Sequence, residues 1–137
     1  MKIKILIVNA NYYKEISSSL VTDSKIILKN KKVTYKLIEA PGVFEIPVII
    51  AKNIKKYDGF IALGCVIKGE TPHFDFISKA ATDAIMKLSV DSKKPIGNGI
   101  LTCLNMSQAR VRSNTKGSKR KGKEAAEAVL SVLGIAK

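Results

Sequence analysis

The sequence predicts an α/β protein, a three-layer α/β/α sandwich built on a four-stranded parallel sheet. Three observations lead there. Short runs of β-branched and apolar residues alternate with segments of helical periodicity, as repeated βαβ units require. The run Phe60 to Ile67 is apolar almost without a break, which fits a strand buried on both faces of a parallel sheet. The chain has 137 residues, 46% of them apolar and 26% charged. That length supports one domain with its own core and not two, so residues 1–137 are read as a single domain.

The elements follow in order. Ile3 to Val8 reads as the first buried strand, and the Asn9-Ala10-Asn11 that follows suits a strand end better than a signal peptide. Glu15 to Lys29 sets Ile16, Leu20, Ile26, Ile27 and Leu28 among polar residues, an amphipathic helix. The second strand is Val33 to Glu39. After Pro41-Gly42, Glu45 to Ile54 reads as a short helix with Pro47 in its first turn, where a missing N–H costs nothing. Phe60 to Ile67 is the third strand. Thr71 is expected to cap the next helix with Pro72 at its first position. That helix carries a wide apolar stripe through Phe76, Ile77, Ala80, Ala81, Ala84, Ile85 and Leu88. Ile96 to Leu101 is the fourth strand. A short helix over Ser107 to Val111, a basic loop from Ser113 to Lys121 and an Ala-rich helix over Lys123 to Leu133 complete the chain.

Charge is the unusual term. Lys and Arg number 24 against 11 Asp and Glu, a formal net charge of +13. Such a field favours anionic partners. No acidic residue occurs between Asp91 and Glu124, while Arg110, Arg112, Lys116, Lys119, Arg120, Lys121 and Lys123 all fall there. The longest apolar runs stop far short of a membrane span. Cys65 and Cys103 both lie in apolar segments and read as reduced, buried thiols of a cytoplasmic protein. A single histidine, no CxxC and no His/Cys ligand cluster argue against a zinc site.

Ligands of open parallel sheets bind at the carboxyl ends of the strands. That rule selects Asn9 to Tyr13, Ala40 to Glu45, Ile67 to His73 and Thr102 to Asn105. The third segment, Ile67-Lys68-Gly69-Glu70-Thr71-Pro72-His73, offers backbone amides at a helix N-terminus, a natural anion cradle; it equally fits an ordinary strand-to-helix turn. It is neither a Walker A loop nor a GxGxxG fingerprint. His73 is the only histidine; helix N-termini favour neutral imidazole, a form that gives or takes a proton near pH 7. In Pro41-Gly42-Val43-Phe44-Glu45-Ile46-Pro47, Glu45 either caps a helix dipole or bonds a polyhydroxyl ligand. Tyr12 and Tyr13 are either surface aromatics or a stacking platform. The basic loop suits a solvated segment, a phosphate clamp or nucleic-acid contacts. No nucleophile elbow is present, which argues against a triad hydrolase.

Taken together, PGVFEIP, GCVIKGETPHFDFI, GILT and the basic loop behind them resemble the 6,7-dimethyl-8-ribityllumazine synthase family, over nearly the whole chain from Ile5 to Leu133. The resemblance implies a flavodoxin-like fold and a reaction of riboflavin biosynthesis. In it 5-amino-6-ribitylamino-2,4-pyrimidinedione condenses with 3,4-dihydroxy-2-butanone 4-phosphate, releasing phosphate and water, without metal or organic cofactor. By position, His73 matches the family's proton-transfer residue. Tyr12 matches an aromatic that stacks on the pyrimidine. Val43, Phe44 and Glu45 match the ribityl-binding segment, and Cys65, Val66 and Ile67 the strand end lining the heterocycle. Gly69, Glu70 and Thr71 match the turn that receives the phosphate. Asn98 and Arg112 match positions reaching the site from a neighbouring subunit, Asn98 at the pyrimidine and Arg112 at the phosphate.

The resemblance further implies a homopentamer with active sites shared between subunits, in some members extended to a decamer or an icosahedral 60-mer, with riboflavin synthase as a possible partner. Neither a membrane nor nucleic acid is an expected partner. The loop Ser113 to Gly122 departs from the family pattern: it is one residue longer and more basic, which favours the pentamer over a shell. Lys116 fits a phosphate-site lysine, and of Lys119 and Lys121 the second, next to Gly122, is preferred. Two other readings remain beside the enzyme: a basic module binding RNA or another polyanion, and an inactive structural paralogue.

Overall fold

A computed structural model of the chain describes residues 2–69 and 72–135. The elements run β1 (Lys4–Ala10), α1 (Lys14–Asn30), β2 (Thr34–Ala40), a 3₁₀ turn (Val43–Glu45), α2 (Ile46–Lys52), β3 (Gly59–Ile67), α3 (His73–Ser92), β4 (Ile96–Cys103), α4 (Met106–Ser113) and α5 (Lys121–Val132). All strands are parallel, in the order β2-β1-β3-β4. This is the expected three-layer, flavodoxin-like α/β/α fold.

The sheet divides the core in two because successive side chains of a strand point to opposite faces. Ile5 and Ile7 of β1, with Ile61, Leu63 and Cys65 of β3, pack with Leu20 and Leu28 of α1 and Ala126, Val129 and Leu130 of α5. Leu6, Val8, Phe60 and Ala62 face the other way, onto Ile46 and Ile50 of α2 and Ala81 and Ile85 of α3. That double burial is why β1 and β3 read as continuous apolar runs. No helix among the described residues is long and apolar enough to cross a membrane.

Several expected boundaries move. Pro72 is the N-cap of α3, not its first helical residue. Its ψ of 3° is not helical, and its carbonyl already accepts from Phe76 N at 3.2 Å, the N-cap's role. His73 therefore opens the helix, and Thr71, expected as its cap, lies outside the described residues. The expected helix over Glu45 to Ile54 divides into the 3₁₀ turn and α2, with Pro47 in the first turn of α2. α5 starts at Lys121, so that lysine stands on the helix and not in the loop. The α3 stripe is only partly covered: Ala81 and Ile85 are buried, whereas Phe76 is 69% exposed.

α5 reaches α1 through Gly122. A Cβ there would lie 2.9 Å from the carbonyl carbon of Leu20, and Ser24 Oγ donates to the Gly122 carbonyl at 2.7 Å. Just before it, Arg120 forks onto Asp23 of α1, with Nη2 and Nε donating at 2.9 and 3.3 Å. Asp23 is 1% exposed, so this charge is held inside by one guanidinium from the far end of the basic loop.

Candidate active site

The carboxyl ends of β1 and β3 and the turn after β2 enclose a cleft of about 600 Å³. It is lined by Tyr12 and Tyr13 from the β1–α1 junction, Gly42 to Glu45 from the 3₁₀ turn, Cys65 to Ile67 from β3, and His73 and Ile77 from α3. This is the topological switch point of the sheet, where β1 lies between β2 and β3 and the crossovers diverge to opposite faces. Eight of the expected residues meet here: Tyr12, Val43, Phe44, Glu45, Cys65, Val66, Ile67 and His73. Glu70 and Thr71, expected at the phosphate, lie outside the described residues. Gly69 directly precedes them; among the described residues, its chain neighbours aside, no atom lies within 4 Å of where a Cβ would stand.

The cleft has a dry floor and an aromatic rim. Cys65 is buried. Its thiol is pushed up to about 12, first by burial, then by the charge of Cys103 and a hydrogen bond with it. It is therefore an inert, protonated wall. Both cysteines are free thiols, as the sequence led us to expect. Burial is also the first cause raising the Tyr13 phenol, followed by Tyr12 and Cys65, so Tyr13 presents a hydroxyl and not a phenolate. Its ring meets Tyr12 edge-on with centroids 4.9 Å apart. Tyr12 and Phe44 stand 74% and 60% exposed at the rim, open to a planar ring. The Glu45 carboxylate turns back over Gly42, whose Cβ, if present, would lie 3.2 Å from Glu45 Oε1.

The remaining expected residues are elsewhere. Arg112 on α4, Lys119 and Lys121 line a second hollow of about 480 Å³, with Thr102 and Glu124. Arg112 Nη1 donates to Gln108 Oε1 at 3.3 Å and to Cys103 Sγ at 3.5 Å. Asn98 lies exposed on the edge strand β4, its Oδ1 accepting from Ile100 N at 3.0 Å. Lys116 is exposed in the loop, its backbone N–H bonded to Asn114 Oδ1 at 2.9 Å. The structure thus gathers a heterocycle-sized cleft with His73 at one place and a cationic hollow with Arg112 at another.

Tyr13 and Gly42 of the cleft fall in segments the strand-end rule selects, Tyr13 as a possible stacking platform, whereas Ile77 was not singled out as a site residue from sequence. Ile77 stands four residues after His73, hence on the same helix face, a spacing that would have found it. Among the described residues no group of His, Cys, Asp and Glu is arranged to hold a metal ion.

A doubly wound α/β/α domain with an aromatic-rimmed, polar-edged cleft at its strand ends is the framework of an enzyme for a small planar substrate. Comparison with known proteins gives the particular kind. Residues 2–137 match the sequence profile described as 6,7-dimethyl-8-ribityllumazine synthase. Proteins of that name from Bartonella bacilliformis and Agrobacterium fabrum are 44% and 41% identical to the chain. Each alignment spans 97% of it, and 90% and 94% of those proteins. A third, 6,7-dimethyl-8-ribityllumazine synthase 1 of Rhodopseudomonas palustris, is 40% identical over 96% of this chain and 85% of its own. The chain belongs to the 6,7-dimethyl-8-ribityllumazine synthase family and is an enzyme of riboflavin biosynthesis.

Proposed function

We propose that the chain, as one domain over residues 1–137, carries out the family's condensation with its reacting centre in the His73 cleft. The pyrimidinedione stacks against Tyr12 over the walls formed by Cys65, Val66 and Ile67. Its ribityl hydroxyls reach Val43, Phe44 and the Glu45 carboxylate. The primary amine of the pyrimidine attacks the ketone of the butanone phosphate. Loss of water gives an imine, phosphate leaves, and ring closure expels water again. The substrate supplies the nucleophile, which suits a cleft whose cysteine is locked as a thiol. His73 moves protons at the attacking amine and the departing hydroxyl. The observation that carries this reading is the meeting of Tyr12, Glu45, Cys65 to Ile67 and His73 in one cleft.

The phosphate is held by Gly69, Glu70 and Thr71 at the head of α3 and by Arg112, with Lys116 and Lys121, from a neighbouring copy. Asn98 touches the pyrimidine from that copy. What supports a shared site is the separation of the two halves within one chain. The assembly is a homopentamer rather than a decamer or a 60-mer, working in the cytoplasm, with riboflavin synthase as its candidate partner.

The test mixes the two substrates with purified protein and follows lumazine formation against an enzyme-free control. Acceleration is expected, reduced but not abolished in His73→Ala, by about 10²–10⁴-fold, since proton transfer is one contribution and holding the substrates together is another. Unchanged turnover in that variant removes His73 from the chemistry. No acceleration by the folded wild type, together with steeply salt-dependent RNA binding, overturns the enzyme reading in favour of the polyanion module.

A further inference from the structure

We propose that Gln108 is a positioning residue for phosphate recognition, holding the Arg112 guanidinium in its binding orientation. The inference rests on the proposed role of Arg112. Gln108 sits four residues before Arg112 on α4, the spacing at which helical side chains meet. Its Oε1 accepts twice: from the backbone N–H of Leu104 at 2.8 Å and from Arg112 Nη1 at 3.3 Å. The first bond ties the amide to the chain leaving β4. The second fixes one edge of the guanidinium, and Cys103 Sγ, at 3.5 Å from the same Nη1, holds it from the strand. With Nη1 occupied on both sides, the planar fork turns its other edge toward an anion. A free arginine loses much rotamer entropy when it binds, and a pre-set one loses less.

Gln108 also has a local duty. Its own N–H donates to Asn105 Oδ1 at 2.9 Å, and with the Leu104 bond this closes a capping arrangement at the start of α4. A pure cap would affect stability alone. The experiment therefore compares four variants in steady state, varying each substrate, with thermal unfolding of each. Gln108→Leu removes the acceptor, and Gln108→Glu keeps one in the same place. Asn105→Ala weakens the cap and leaves the Gln108 side chain intact. Arg112→Ala tests the underlying clamp.

Gln108→Leu is expected to raise the KM for the butanone phosphate about 2- to 10-fold, the scale of ordering one long side chain. The KM for the pyrimidinedione should keep its wild-type value. Gln108→Glu should restore the first KM, and Asn105→Ala should lose thermal stability without moving it. If Gln108→Leu raises both KM values together, or Asn105→Ala matches it, Gln108 is only a cap and the inference is overturned. The Gln108→Glu and Asn105→Ala arms decide the matter even if Gln108→Leu folds poorly. If Arg112→Ala itself leaves the phosphate-substrate KM unchanged, the clamp reading fails instead, and the positioning role falls with it.

Discussion

Gly122→Ala tests the packing that presents the cationic hollow. A Cβ at this position lands 2.9 Å from the carbonyl carbon of Leu20, 3.0 Å from its Cα, and nearer still to its carbonyl oxygen. All three are backbone atoms of α1, so no side chain can swing aside, and α1 and α5 must separate. Overpacking of this kind costs about 1–3 kcal/mol. The separation also stretches the buried Ser24 Oγ to Gly122 carbonyl bond of 2.7 Å, worth about 1 kcal/mol. The sum is about 2–4 kcal/mol, and a chain of this length loses about 3.5 °C of Tm per kcal/mol. The expected fall is thus about 7–14 °C, measured by circular dichroism at fixed protein concentration, because association shifts Tm by mass action. Gly117→Ala is the control. There the nearest atom to a new Cβ is 3.4 Å away, on the Asn114 side chain, and the change should stay within about 0.5 kcal/mol. A Gly122→Ala protein that melts with the wild type would refute the backbone approach of α5 to α1.

Two other predictions concern groups the reaction does not use. Arg120→Ala strands the Asp23 carboxylate, 1% exposed, without its cation, and should lower Tm far more than Lys119→Ala beside it. The double variant Asp23→Leu with Arg120→Met should regain most of the loss, as replacing both members of a buried pair is often neutral; no recovery would show that the pair does more than neutralise itself. The Cys65 thiol is raised from 9.0 to about 12 in the folded protein, so the unfolded chain gives up this proton first as pH rises. Its contribution is intact below about 9 and is lost between about 9 and 12. The decline of stability over that window should be shallower in Cys65→Ala than in the wild type, and equal slopes would remove Cys65 as a cause.

What the sequence discloses and what it hides follow from distance along the chain. The strands β1 and β3 are legible because burial on both faces writes itself into unbroken runs such as Ile5 to Val8. The strand-end rule then places the cleft before any coordinate is known. The start of α3 is not legible to the residue, since proline serves at the N-cap or the first position, and only the ψ of Pro72 separates the two. The α3 stripe is visible as apolarity, yet nothing in it tells that Ala81 is covered and Phe76 is not. The pairing of Asp23 with Arg120, 97 residues apart, has no local signature at either end. That one chain keeps Arg112 and His73 in separate hollows likewise has no local signature; only the resemblance, which brings Arg112 from a neighbouring subunit, implied it.

The anchoring of the basic loop fits a role in the enzyme's phosphate site better than a polyanion-binding arm. Ser113, where the loop begins, is buried, with its hydroxyl bonded to the Ala109 carbonyl at 2.8 Å. Arg120, where it ends, is tied to Asp23. Only Asn114 to Lys119 remains between fixed ends, and of its two lysines Lys119 lines the Arg112 hollow. Of the cations in and just after the loop, Arg120 is already neutralised by Asp23, whereas Lys119 and Lys121 line the hollow itself. A field so placed should act on one substrate. Raising ionic strength from about 0.1 M to 1 M shortens the Debye length from about 10 Å to 3 Å. The KM for the butanone phosphate should then rise several-fold, while that for the uncharged pyrimidinedione stays level. Lys119→Ala should start from a higher phosphate-substrate KM and respond less to salt. If both substrates weaken in parallel, or the variant keeps the wild-type slope, the loop's charge is not directed at the phosphate and its basicity needs another explanation.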